Sequence, residues 1–512
     1  MNWTESQRNA IYLSNANIIV SAGAGSGKTA VLTTRVIEKI KKGTNINELL
    51  VLTFTKAAAR EMKERVRKAL IKENLTDQLL LLDASYITTF DSFSLSLVKK
   101  YHYVLNVGKN INISPDSLIQ IVVINELNKI FDNEYVNKDE GFLKLIEDFC
   151  VKNDDNIKKI ILNLYNKLDQ KVDKIAYLNN YFDEVFNEKT VNENVGRYQE
   201  IIKDKIVTII PLIDNLLSEA SIDCYEDIIT LREDLINANS YNNIKWVIDN
   251  RKLPIKRKDC GENYSAYRQD LVTEFKKLDE YVRYDNEDAM ATDIHKTLVY
   301  QKVIIDLLIK LETNVNKYKK VHQLYTFYDI ARLAISLVRD NENIRETTKN
   351  SFKEIMIDEY QDTSDIQEEF INLICNNNVY MVGDIKQSIY RFRNANQALF
   401  KNKYDEYDDV KKFKKGKGIK IDLLENFRSR KEVLKAINDI FEVVMSDQIG
   451  GANYKERHKM IYGNKAYDEN NDDKLDYQIE VLNYAELDET YTKVEREAFS
   501  IAFENASLST FV

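Results

Sequence analysis

Within the eight residues Ala22–Thr29, AGAGSGKT, the chain gathers three glycines, a lysine and a hydroxyl. Gly23, Gly25 and Gly27 let the backbone curl so that its N–H groups converge, which suits a phosphate. Ala22 stands where such a loop usually begins with Gly, a conservative departure, and Ala24 and Ser26 fill its variable positions. Lys28 can reach β- and γ-phosphates, and the Thr29 hydroxyl can ligate Mg²⁺. The loop follows the apolar run IIVS and precedes a helical pattern at Ala30–Lys41, whose N-terminal dipole favours an anion. Strand, loop and helix in that order point to ATP binding with Mg²⁺. A second chemical cluster is MIDEYQDT at Met356–Thr363, closing the apolar run EIMID. There Asp358 is placed to hold Mg²⁺ through water, and Glu359 to orient and deprotonate an attacking water. The alternative is an exposed acidic turn, since two buried carboxylates without such roles are costly to desolvate.

Those two clusters lie more than three hundred positions apart, so one sheet must bring them together around a large insertion. Ile18–Ser21, Leu49–Phe54, Glu354–Asp358 and Val379–Val382 are short apolar runs rich in β-branched residues, each followed by turn residues or a helical pattern. That is the pattern of buried parallel strands alternating with helices. From about 105 to 325 the periodicity is helical instead. The expected fold class is α/β: a P-loop, RecA-like parallel sheet with a large all-helical insertion and the start of a second α/β domain. The expected division is 1–104, the helical insertion 105–324, 325–395, and an incomplete second domain 396–512 with Ile419–Leu424 as an early strand. Asn464–Lys474 is polar enough to be a loop.

At 512 residues, roughly three domains of about 100–200 residues each are expected. With 44% hydrophobic residues, sizeable cores are possible, and only 14 Gly and 3 Pro favour long helices over many-turned β-architectures. The net charge of −9 argues against a generic nucleic-acid binder, whose whole domain is usually basic. Basic residues nonetheless cluster at Lys56–Lys68, Arg251–Lys258, Lys386–Arg393 and Lys411–Lys420. Solvated faces explain the last of these best. In Lys386–Arg393 aromatics interleave with the charge, which suits single-stranded nucleic acid. Cys150, Cys224, Cys260 and Cys375 are scattered without a CxxC pair and read as reduced structural thiols. No signal peptide and no 18-residue apolar run are present, so a cytoplasmic protein without a membrane span is expected.

In chain order, WTESQRNAI, AGAGSGKT, LTFTKAAAREMKERV, TFDSF, MIDEYQDT, VGDIKQSIYRFRNA and LLENFRSR resemble motifs Q, I, Ia, Ib, II, III and IV of the UvrD/RecB-like superfamily 1A DNA helicases. GDIKQSIYRFRNA is more similar to the AddA/RecB branch than to UvrD itself. The resemblance covers residues 1–100 and 325–435. It implies an ATP-driven motor on single-stranded DNA, moving 3′ to 5′. By resemblance Gln7 reads the adenine edge, Phe427 packs near the base, Gln387 senses the γ-phosphate, and Arg428 clamps it from the second α/β domain as an arginine finger. Phe54, Tyr390 and Phe392 would stack on bases, Arg393 would meet phosphates or the domain cleft, and Thr89 and Ser92 would touch the DNA backbone. Asp91 stands where many relatives have His, and Phe392 where many have Trp. Nothing after Arg428 resembles motif V or VI, so the chain is expected to hold only part of the motor, ending in a helix within TYTKVEREAFSIAFENASLSTFV.

Three functions are compatible with these features. The first is an AddA-like helicase subunit in double-strand-break repair and recombination, with a helicase–nuclease partner subunit. The second is a nucleotide-dependent DNA-binding fragment impaired in catalysis, and the third a P-loop ATPase acting on protein or RNA. The YRFR aromatics weigh against the third.

Overall fold

A computed structural model describes residues 3–413, 417–446 and 450–469. Its strands are β1 (Ile18–Ala22), β2 (Leu49–Thr53), β3 (Tyr86–Thr89), β4 (Asn112–Ile113), β5 (Leu324–Tyr325), β6 (Glu354–Ile357), β7 (Val379–Gly383), β8 (Asp408–Asp409), β9 (Ile419–Leu423), β10 (Glu425–Asn426) and β11 (Ile461–Tyr462). The chain divides into two compact units. One comprises the described residues of 1–89, 349–363 and 375–512; the other comprises 90–348 and 364–374.

The first unit is built on a seven-stranded parallel sheet in the order β3-β2-β6-β7-β1-β9-β8. β1, β2, β6 and β7 are buried along their whole length, which is why they read as continuous apolar runs rather than alternating ones. β3 gave no such signal. It lies at the sheet's edge, and its YITT sequence exposes Tyr86 while burying Ile87.

One expectation is corrected here. Ile419–Leu423 does not open a separate sheet: it pairs in parallel with β1, with Ile18 opposite Ile419 and Ala22 opposite Leu423. A central strand has two edges to satisfy, and β9 fills the edge of β1 that β7 leaves free. The core around these strands joins Val20, Val51, Met356, Val382 and Ile421 to Val31 and Val36 of the helix Lys28–Lys41.

A buried ion pair ties that helix to the sheet. Arg35 has no exposed surface, donates Nε and Nη2 to the two Glu354 carboxylate oxygens at 3.0 and 2.6 Å, and gives Nη1 to the Ala10 and Ile11 carbonyls. Its guanidinium also lies 4.2 Å from the Tyr380 ring centroid. Glu354→Leu would leave the buried guanidinium without its counter-charge, and breaking such pairs typically costs about 3–5 kcal/mol. A markedly lower urea midpoint, with faster hydrogen exchange in β1 and β6, is the expected result; an unchanged midpoint would show the pair to be dispensable.

In the second unit helices dominate, as the periodicity of 105–325 predicted, and β4 and β5 form a two-residue ladder beside them. This unit is wider than the predicted insertion, beginning at Phe90 and running to Thr348. It holds two cores. One gathers Ile119, Leu127, Phe131, Phe142, Ile161 and Leu311; the other gathers Ile202, Ile213, Ile228, Leu271 and Phe275. Cys224 and Cys260, far apart in sequence, meet in the second core with their sulfurs 3.9 Å apart as free thiols.

Within the predicted 464–474 loop, Ala466–Glu469 forms a short helix. Residues 470–474, the closing sequence 490–512 and Lys414–Gly416 of the last basic run lie outside the described residues. Among the described residues no helix is long and apolar enough to cross a membrane.

Candidate nucleotide site and aromatic platform

At the C-terminal end of β1 the phosphate loop takes the backbone course its glycines were expected to permit. Gly25 and Gly27 have φ of 73° and 86°, in the left-handed region. Gly25 has a second constraint: a Cβ there would lie 2.8 Å from Arg428 Cβ and from the Asn426 amide nitrogen. The neighbouring strand therefore grips the loop. Asn426 Nδ2 donates to the Ala24 carbonyl at 2.7 Å, Phe427 N–H to the Gly25 carbonyl at 2.9 Å, and Gly23 N–H to the Leu423 carbonyl at 3.4 Å. Asn426 Oδ1 also accepts the backbone N–H groups of Arg428 and Ser429.

Gln7 is locked to the same loop. It completes a capping box with Thr4, and its amide donates to the Ser26 carbonyl at 3.0 Å. One N–H and one acceptor lone pair of that amide remain for a base.

The carboxylates arrive from β6. Lys28 Nζ donates to Glu359 Oε2 at 2.9 Å, so the two halves of the predicted site meet in one ion pair. Glu359 sits at φ 52°, a left-handed conformation that costs a non-glycine residue strain. Burial, and then the Glu359 charge, push the Asp358 carboxyl up to about 6; the same two causes, in the same order, raise Asp362 to about 6. Three crowded carboxylates beside one lysine form a pocket that favours additional positive charge.

Two buried polar atoms, Ser26 Oγ and Asp362 Oδ1, find no hydrogen-bond partner among the described residues. They fit a phosphate and a hydrated cation. Thr29, at the start of its helix, and Asp358 are the residues that would hold Mg²⁺, which characteristically takes only one or two protein ligands and fills its shell with phosphate and water oxygens. No group of three or more metal-ligating side chains occurs among the described residues.

From β7 the chain passes into GDIKQSIYRFR. Asp384 is buried and holds this turn together. It accepts Gln387 Nε2 at 2.7 Å and pairs with Lys386 Nζ at 2.7 Å, so Lys386 is engaged within the protein rather than with a strand of DNA. Beyond it the rings gather. Phe54 and Tyr390 have centroids 4.7 Å apart, Tyr390 and Phe392 5.7 Å, and the Arg393 guanidinium lies 5.4–5.9 Å from all three rings. Phe392 is 76% exposed and Ile389 is exposed beside it. An aromatic surface open to solvent and edged with Arg391 and Arg393 can take bases on its faces and phosphates at its rim.

Thr89 is buried at the end of β3, which leaves its side chain little surface for a backbone phosphate; Ser92 is half-buried in the helix Phe90–Lys100 of the other unit. Phe427 packs its ring against Gly463. Arg428 is exposed at the phosphate loop, and its guanidinium has no carboxylate partner among the described residues. It reaches the loop from a strand next to β9, in the same compact unit, rather than from a separate domain. Sequence reasoning passed over Gln361, Asp362, Asp384 and Asn426. The only signal was their place inside motif strings, because a buried Gln or Asn looks like any polar residue until its partners are known.

A parallel sheet ending in a phosphate loop, with a lysine–glutamate pair across its central strands, defines a P-loop nucleotide-binding protein. The family model of the UvrD/REP helicase N-terminal domain matches residues 3–408, and the chain belongs to that family. It is 34% identical to the AddA subunit of the ATP-dependent helicase/nuclease from Clostridium beijerinckii over 513 residues, covering 90% of this chain and 41% of the relative. Identity is 32% with the protein of the same description from Thermoanaerobacter sp., with the same coverage, and 33% with that of Clostridium botulinum, covering 97% of this chain and 44% of the relative. The chain spans about two fifths of the length of these relatives.

Proposed function

We propose that this chain is the ATP-hydrolysing motor portion of a cytoplasmic DNA helicase that translocates 3′ to 5′ on single-stranded DNA. In this reading it serves as an AddA-type subunit in double-strand-break repair and recombination, alongside a helicase–nuclease partner subunit. The observation that carries the reading is the Lys28–Glu359 pair in the same compact unit as the Phe54–Tyr390–Phe392 platform. The named relatives support it.

On this reading the loop N–H groups and Lys28 bind the phosphates of ATP, while Gln7 and Phe427 border the base. Mg²⁺, held at Thr29 and Asp358, would neutralise phosphate charge. Lys28 leaves Glu359 for the phosphates, which frees that carboxylate to take a proton from the attacking water. Gln387 and Arg428 contribute at the γ-phosphate.

The test is ATP hydrolysis by the 512-residue chain with and without single-stranded DNA. DNA-stimulated turnover supports a working motor. Nucleotide and DNA binding without turnover would leave a binding module and overturn the enzymatic reading.

Phe392→Ala should weaken binding of a labelled oligo(dT) by about 1–3 kcal/mol, roughly 5- to 150-fold, with nucleotide affinity unchanged. The ring is mostly exposed, so its loss removes little packing. Anisotropy titrations at several salt concentrations check both the loss and the expected steep fall of affinity with salt. An unaltered affinity would remove Phe392 from the DNA surface.

A further inference from the structure

Gln361 is a fully enclosed amide, 2% exposed, between the carboxylates and the turn that leads to the aromatic platform. Its Nε2 donates to Glu359 Oε2 at 2.9 Å and lies 3.3 Å from Asp362 Oδ2. Its Oε1 accepts the Asp384 N–H at 2.9 Å, and its main-chain carbonyl accepts Ser388 Oγ at 3.2 Å. Ser388 is two residues from Tyr390, and the far end of the same segment is tied back where Asn396 N–H meets the Thr363 carbonyl at 2.9 Å. One side chain thus joins the carboxylate that faces Lys28 to the backbone that carries the rings.

We propose that Gln361 is a positioning residue that makes the hold on Glu359 depend on whether single-stranded DNA occupies the Phe54–Tyr390–Phe392 platform. This rests on the roles given above to Glu359 and the platform.

The packing leaves the amide little freedom to absorb a displacement. A Cβ on Gly383 would stand 2.3 Å from Gln361 Oε1 and 3.1 Å from the Tyr360 nitrogen, so the two segments approach as closely as backbone allows. Contacts this tight pass on small shifts instead of cushioning them. Glu359 is correspondingly sensitive, because its left-handed backbone persists only while its surroundings hold it, and the one oxygen Oε2 is shared by Lys28 and Gln361. When a base stacks on Tyr390, movement of Ser388 and Asp384 shifts Gln361, and the balance of its Nε2 between Glu359 and Asp362 changes. Coupling of this kind is reciprocal, so nucleotide must alter DNA affinity by the same factor.

The test uses the 512-residue chain, a Mg²⁺-complexed non-hydrolysable ATP analogue and labelled oligo(dT), so it does not depend on turnover. The wild-type chain should show oligo(dT) affinity changed at least about fivefold by saturating analogue, the lower end of typical coupling. In Gln361→Met, of similar volume but unable to bridge, each separate affinity should stay within about twofold while the coupling ratio falls to about one. Gln361→Glu retains an acceptor for the Asp384 N–H but sets a like charge against Glu359. It should lose the coupling too, and it decides the matter if Gln361→Met does not fold. A folded variant that keeps the wild-type ratio, or a wild-type ratio of one, overturns the proposal while leaving the functional reading intact. Failure of the wild-type chain to bind either ligand overturns both.

Discussion

Glu359→Gln should bring ATP turnover down by roughly 10²–10⁴-fold, the usual contribution of a positioned general base, without weakening nucleotide binding. The second half of that expectation comes from the geometry. Lys28 is held at 2.9 Å by Glu359, so the phosphates must draw the ammonium away from a carboxylate partner. An amide of the same shape removes that competitor. Nucleotide affinity, measured with a fluorescent ATP analogue, should therefore be equal to wild type or tighter. Lys28→Ala gives the opposite pattern, with affinity lost because the cation itself is gone. Normal turnover in Glu359→Gln would assign the water-activating role elsewhere, and Asp362, buried nearby with one oxygen unpartnered among the described residues, would be the next carboxylate to test.

Arg428→Ala is expected to have an effect at least as large. Arginine fingers contribute about 10³–10⁵ in rate by stabilising charge that develops on the transferred phosphoryl group. Arg428 is well placed for this, because its backbone is set by Asn426 and its Cβ packs against Gly25, while the guanidinium has no carboxylate partner among the described residues. Nucleotide affinity should change only modestly, with the loss concentrated in kcat. Arg428→Lys should not rescue, since an ammonium cannot reproduce the planar fork. Single-turnover hydrolysis separates these outcomes from slow product release. If Arg428→Ala weakens binding and leaves kcat intact, Arg428 is a ground-state anchor and not a finger.

Much of this site was legible in the sequence because its chemistry is local in the chain. A phosphate loop needs glycines at fixed offsets, then a lysine and a hydroxyl, and that demand is written into eight consecutive residues, Ala22–Thr29. Buried parallel strands need apolar residues on both faces, so β1, β2, β6, β7 and β9 stood out. The order of seven short motifs pointed to the family. Tertiary structure alone decided which edge each strand would fill. β9 carries the same pattern whether it begins a new sheet or extends an old one, and only pairing with β1 settles that it extends the old. Polar residues were the least legible. Gln361, Asp384 and Asn426 take their roles from partners far along the chain, such as Asn426 at the Ala24 carbonyl, and a hydrogen bond between distant segments leaves no periodicity in either of them. Thr89 shows the converse: a motif position suggested surface chemistry, but burial at the end of an edge strand took the side chain out of solvent.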